Sequence, residues 1–310
     1  MRRRVDAALL LDKPVGLSSN AALQAVKRLF GAAKAGHGGT LDPLASGLLL
    51  VLFGDATKFA GSQLDADKCY LATVRLGVTT TTGDSEGQII EQRPVSVSEP
   101  QIDAVLAKFR GPISQIPPMY SALKLKGKPL YVLAREGKTV ERLPRAISIH
   151  ELVRVSLQGA LLELRVRCSK GTYVRSLAED IGAALGTGAH LASLRRTGSG
   201  GLSVDDASTL EALGEMTEDE RERRLLPLGA LLGNLPRMDC SVEQEGRLRD
   251  GQAIRVDPGP AGQCALYGPV GLIGLGLADG TGSLRPVRLT APPGETGQAQ
   301  PAEIHKKTCE

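Results

Sequence analysis

The pattern of apolar and polar positions divides the chain into elements before any chemistry is considered. Leu9–Leu11 is a short apolar strand closed by the turn Lys13-Pro14-Val15-Gly16. Ser18 or Ser19 then caps a helix reaching about Phe30, with Ala22, Val26 and Leu29 at helical spacing and Gly31 as its stop. The unbroken apolar run Leu48–Phe53, bounded by Gly47 and Gly54, reads as a strand buried on both faces. A short helix follows around Thr57–Leu64. Asp67–Val78 alternates, with Tyr70, Ala72, Val74 and Leu76 on one face and Leu71, Thr73 and Arg75 on the other. Thr79–Gly87 is a polar loop. Ser98-Glu99-Pro100 opens a helix whose stripe is Ile102, Val105, Leu106 and Phe109, ended by Gly111.

Ile147–Val155 and Leu161–Cys168 are strands, and Thr172 is placed to cap a helix with Val174, Leu177, Ile181 and Leu185 inward. Arg175 lies one position off that stripe, at the helix start, so it is expected to point along a sheet edge towards a site. His190–Leu194 with Arg195-Arg196 forms another short element, and residues 205–232 read as charged helix. The composition shifts at Pro236. From there to about Arg288, short apolar runs between glycines and prolines predict a small all-β barrel. Residues 291–310 are polar and proline-rich, as in a disordered tail.

The stretch Lys34–Val51 concentrates the chemistry. His37 is flanked by Gly36, Gly38 and Gly39, and Asp42 stands in the turn Thr40-Leu41-Asp42-Pro43 just before the buried strand. Pro43 biases Asp42 away from the α region, and the glycines let backbone approach a ligand closely. A carboxylate is thus mounted on a stiff loop beside a histidine with room around it. The plainer alternative is an Asp serving only as a turn former or helix cap.

Residues 117–145 are basic and punctuated by Pro and Gly: Lys124, Lys126, Lys128, Arg135, Lys138, Arg142 and Arg145 stand against Glu136 and Glu141. Such a run is ordinarily a solvated face. In an RNA-binding protein it tracks phosphates. The formal charge of +4 is compatible with a polyanionic partner without requiring one. Trp is absent and aromatics are few, so any stacking contacts are individually placed. The five scattered cysteines form no C-x-x-C and no zinc spacing, which argues against a disulfide scaffold or a structural metal. The apolar segment Ala7–Leu11 is too short for a signal peptide, no segment approaches membrane-spanning length, and a cytoplasmic protein is expected. No P-loop, dinucleotide fingerprint or nucleophile elbow is present.

Four motifs in order resemble the TruB-type tRNA pseudouridine synthases. GHGGTLDPLASGLLLV resembles the catalytic motif of that family, LLLDKPVGLSSN its opening motif, DKCYLATVRLG its tyrosine-bearing strand, and SKGTYVRSLAEDIG its arginine-bearing motif. The match runs over most of residues 5–200. It implies an α+β pseudouridine synthase fold with a mixed, largely antiparallel sheet flanked by helices, plus a small C-terminal β-barrel PUA-like domain. The implied boundaries are a catalytic domain at 1–235, carrying an RNA-clamping insertion at about 117–145, and a PUA-like RNA-binding domain at 236–290.

The resemblance implies isomerisation of uridine to pseudouridine at position 55 in the T-loop of tRNA, with base flipping and an aspartate-dependent break and re-formation of the glycosidic bond. Neither a cofactor nor a metal is needed for that reaction. The implied catalytic residues are Asp42 as nucleophile at C1′ or C6, Arg175 as the cation keeping it ionised, and Tyr70 as the base for the C5 proton. The implied substrate-binding residues are His37 for the flipped strand, Tyr173 and Leu194 in the pocket, Lys13 and Asn20 as buttresses of the loop, Asp84 beyond the tyrosine strand, and Lys124, Lys126 and Lys128 in the insertion. Thr81 departs from the family, which more often has aspartate there. The expected partner is the T-arm of tRNA, with no membrane, no obligate protein partner and a monomeric state. Two other classes stay open. A glycosyl hydrolase would need a second carboxylate, from Asp84, Glu179 or Asp180. A catalytically silent tRNA-binding or RNA-folding protein would dispense with Asp42, Tyr70 or Arg175, all of which are present.

Overall fold

The computed structural model describes residues 2–121, 123–125 and 127–292. Its described residues fall into two compact units, one from 2–43, 47–65 and 201–292, the other from 44–46 and 66–200. Among these residues no helix is long and apolar enough to cross a membrane. Lys126 and residues 293–310 of the tail lie outside the described residues.

In the first unit the strand Ala8–Lys13 runs antiparallel to Ala45–Phe53 and parallel to the short strand Ser208–Thr209. From Leu48 to Phe53 every residue of the apolar run is buried. Alternate residues serve different cores. Leu49, Val51 and Phe53 pack with Leu9, Leu11 and Val26, while Leu48, Leu50 and Leu52 pack with Leu10, Phe59 and Leu231. That is why the run shows no polar alternation. The helix Ser19–Leu29 begins where Ser18 accepts the Ala21 N–H and presents Ala22, Leu23 and Val26 to the core.

The C-terminal segment of this unit is a five-stranded curled sheet with PUA-like character. Its strands include Gly262–Gly268, Gly271–Ala278 and Ser283–Leu289. The sequence predicts only strands here, but a helix, Val242–Arg249, is present. It is held by a capping box between Ser241 and Gln244 rather than by an apolar stripe, since Leu248 is its buried residue.

The second unit is an antiparallel sheet in the order Ala189–Ser199, Lys68–Leu76, Leu161–Cys168, Arg145–Gln158, Gly111–Gln115. One face is covered by the helices Glu99–Lys108 and Val174–Ala184, whose Ile102, Leu106, Leu177 and Ile181 pack on Ala72, Val74, Leu164 and Leu152. Thr172 does not cap the second helix. Its hydroxyl donates to the Ser169 carbonyl, and Tyr173 takes the cap position. The short element expected at His190–Arg196 is a full strand, and the stretch 205–232 is broken into short helices and turns.

Candidate active site

Asp42 is half-buried in the loop between Ala35–His37 and Ala45–Phe53. Two sets of bonds hold that loop. Ser19, buried at the first turn of its helix, donates its hydroxyl to the Leu41 carbonyl (2.9 Å) and accepts the Leu41 N–H (2.7 Å). Gly16 N–H donates to the Pro43 carbonyl at 2.8 Å. Lys13, fully buried, donates Nζ to the carbonyls of Pro14 (2.8 Å) and Leu17 (2.7 Å), fixing the turn that carries Gly16. The helix buttress is therefore Ser19, one residue before Asn20. Asn20 is exposed, and its side-chain oxygen accepts from Gln24. The Ser18-Ser19 pair is the available signal, since one hydroxyl suffices for the cap and the other is left to face the loop.

His37 is half-buried and pairs with Val51 on the apolar strand. Gly38 donates to the Leu50 carbonyl at 2.9 Å. A Cβ on Gly38 would stand 3.0 Å from the Leu50 Cδ2, so this glycine serves close packing against the strand rather than room for a ligand. Gly39, with φ of +128°, turns the chain towards Asp42.

In the second unit Tyr70 is the third residue of the strand Lys68–Leu76, opposite Val166 on one neighbour and Arg196 on the other. Leu194 stands opposite Ala72, and both Tyr70 and Leu194 are half-buried against the core. Arg175 is the second residue of its helix and is buried. Its Nε lies 3.3 Å from the Asp84 Oδ2, and its Nη2 donates to the Tyr120 carbonyl at 3.1 Å. Asp84, in the loop read as polar, is buried. Its Oδ1 accepts from the Thr82 hydroxyl and from the Glu86 N–H. These contacts tie Asp84 into its own loop as well as to Arg175. The neighbour of Thr82 at the departure position, Thr81, accepts the Gln88 N–H instead.

The basic segment leaves the sheet after Gln115 and re-enters at Arg145, which pairs directly with Gln115. It holds two short strands, Lys124–Leu125 and Lys128–Pro129, and the helix Leu130–Arg135. Lys128 is exposed and paired with Glu136, which also meets Lys138 at 3.0 Å. The hydrogen bond from Lys128 is the leading cause that holds the Glu136 carboxyl below its usual range. Part of the basic charge is therefore already balanced inside the segment. The side chains of Lys124 and Lys126 lie outside the described residues.

Residues 27–174 match the model of the TruB family pseudouridylate synthase N-terminal domain, and residues 175–233 match that of the tRNA pseudouridylate synthase B C-terminal domain. The chain is 52% identical over 290 residues to the tRNA pseudouridine synthase B of Aromatoleum aromaticum, covering 94% of each. It is 55% identical over 273 residues to that of Burkholderia mallei, covering 86% of this chain and 90% of the relative. Among solved structures it is similar to an archaeal box H/ACA Nop10–Cbf5 complex, with a TM-score of 0.72, 26% identity and coverage of 93% and 87% of the two chains. It is also similar to an H/ACA ribonucleoprotein bound to a substrate RNA containing 2'-deoxyuridine, with a TM-score of 0.71, 25% identity and coverage of 95% and 88%.

Proposed function

The chain belongs to the TruB family of pseudouridylate synthases, and from that premise we infer that it isomerises uridine to pseudouridine at position 55 in the T-loop of tRNA. The observation that carries this reading is the identity of 52% over 94% of both chains to a tRNA pseudouridine synthase B, with GHGGTLDP intact. The reaction breaks the N1–C1′ bond, joins C1′ to C5, releases the C5 proton and protonates N1, with no change of oxidation state.

Asp42 supplies the carboxylate nucleophile. Its loop is pinned on either side, at Leu41 and at Pro43, so little freedom is left to freeze out when the substrate arrives. Arg175 supplies the positive charge that favours an ionised carboxylate, and Tyr70 takes the C5 proton. The target uridine must leave its stack, at a cost of a few kcal/mol. His37 holds the opened strand, while Tyr173 and Leu194 line the pocket. Lys124, Lys126 and Lys128 carry phosphate contacts, and residues 236–290 form an additional PUA-like RNA-binding domain. The protein acts as a cytoplasmic monomer.

The test is tritium release from tRNA labelled at uracil C5, with wild type beside Asp42→Asn. Release by wild type alone, mapped to one T-loop uridine, supports the reading. Wild-type release by Asp42→Asn sinks the mechanism, and tRNA binding with no release by either protein favours the silent RNA-folding reading.

A further inference from the structure

We propose that Gln115 is a positioning residue that ties the root of the basic segment to the helix carrying Arg175; this rests on the reading of Arg175 as part of the reaction. Gln115 is 3% exposed, at the last position of the strand Gly111–Gln115. Its Nε2 donates to the Tyr173 carbonyl at 3.0 Å, and its Oε1 accepts the Tyr173 N–H at 2.8 Å. The side-chain amide thereby copies the two-bond ring that paired residues make in an antiparallel sheet.

The position of that ring matters. Tyr173 is the cap residue of the helix Val174–Ala184, where no side-chain cap is made, and its carbonyl also accepts the first helical bond, from Leu177 N–H at 3.1 Å. Gln115 therefore fixes the first turn from outside, at the turn that carries Arg175. Two more contacts run the same way. The Tyr120 carbonyl accepts from Arg175 Nη2 at 3.1 Å, and the Ile116 carbonyl accepts from the Ser176 hydroxyl at 3.4 Å. The chain from 115 to 120 is also the entry to the segment that meets RNA in the proposed function. A load placed on that segment by bound RNA reaches the Arg175 turn through these bonds.

The experiment is a double-mutant cycle on the full chain with T-loop-labelled tRNA, reading the single-turnover rate constant at saturating protein and the Kd for tRNA. Gln115→Leu removes both bonds at similar size. It is expected to lower the rate constant by about 10- to 100-fold with Kd within about threefold. A role in stability alone lowers the reacting amplitude and leaves the rate constant unchanged, which overturns the proposal. Gln115→Glu keeps the acceptor and loses the donor. It is expected to fall between wild type and Gln115→Leu, and it carries the cycle if Gln115→Leu does not fold. In an Arg175→Ala background the Gln115 change is expected to cost less than about twofold, because the group being positioned is gone. An equal factor in both backgrounds overturns the coupling. A wild-type rate in Arg175→Ala alone overturns the assignment of Arg175 and with it the route through Gln115, whatever Gln115→Leu does.

Discussion

Arg175 and Asp84 form a buried ion pair, with Nε 3.3 Å from Oδ2 and side-chain exposures of 6% and 3%. The two residues come from a helix and a loop far apart in the chain. Their pairing is what makes both placements tolerable, since a buried charge without a partner is expensive.

Asp84→Ala removes a buried carboxylate partner of the guanidinium. Breaking a buried pair this way costs about 3–5 kcal/mol, so a marked fall in the urea midpoint and loss of turnover are expected. Asp84→Asn keeps an acceptor for Thr82 and Glu86 and should cost less stability than the alanine while still impairing turnover. Equilibrium unfolding and tritium release together check this. Wild-type stability and turnover in both variants would show that Asp84 does not hold Arg175.

Ser19→Ala removes the hydroxyl that serves both the N–H and the carbonyl of Leu41 in a buried site. Each orphaned group costs about 1–3 kcal/mol. A lower urea midpoint at constant m is expected, with a slower single-turnover rate, because Leu41 adjoins Asp42. An unchanged midpoint and rate would mean that Pro43 and the Gly16 bond suffice to hold the loop.

These two sites show what the chain exposes to reading and what it hides. The Asp42 loop is legible because Pro43, the glycines and the apolar run follow one another, although Ser19 and Gly16, which hold it, come from an earlier part of the chain. The Asp84 loop reads only as polar because its partner arrives 91 positions later, and no local pattern reports that. The strand Ala189–Ser199 reads as a fragment because bulges between Leu191 and Ser193 and between Arg196 and Gly198 shift the alternation. The helix Val242–Arg249 has one buried apolar residue, so periodicity does not find it, although Ser241 with Gln244 three residues on is a visible capping box. Gln115 resembles any polar strand end until Tyr173 is placed beside it.

Replacing Lys124, Lys126 and Lys128 together by alanine should weaken tRNA binding and lower the salt slope by about one for each phosphate that is no longer neutralised. Lys128 shares its charge with Glu136, so Glu136→Gln should act in the opposite direction and tighten binding at low salt. The check is Kd across a salt series for both variants. An unchanged slope in the triple variant would return the segment to an ordinary solvated surface.

Deletion of residues 236–310 separates two views of the C-terminal sheet. As an independent RNA-binding module, its loss should lower affinity and leave chemistry at saturating tRNA intact. The packing argues for a larger effect. Ala265 and Leu275 are buried in the same cluster as Leu48, Leu50 and Leu52, and Tyr267, Leu272 and Val287 pack against it. Lys58 Nζ also donates to the Leu289 carbonyl at 2.9 Å, and Ala291 N–H donates to Asp55 at 2.7 Å. Uncovering several leucines at about 1.5–3 kcal/mol each approaches the whole stability of an ordinary domain, about 5–15 kcal/mol. The strand that would lose its cover on one face is the strand that follows Asp42. The truncated protein is therefore expected to lose its cooperative thermal transition, and turnover with it, even at saturating tRNA. A truncated protein with a wild-type melting temperature and turnover, weakened only in Kd, would show that this sheet is a separable binding module and that the shared core contributes little.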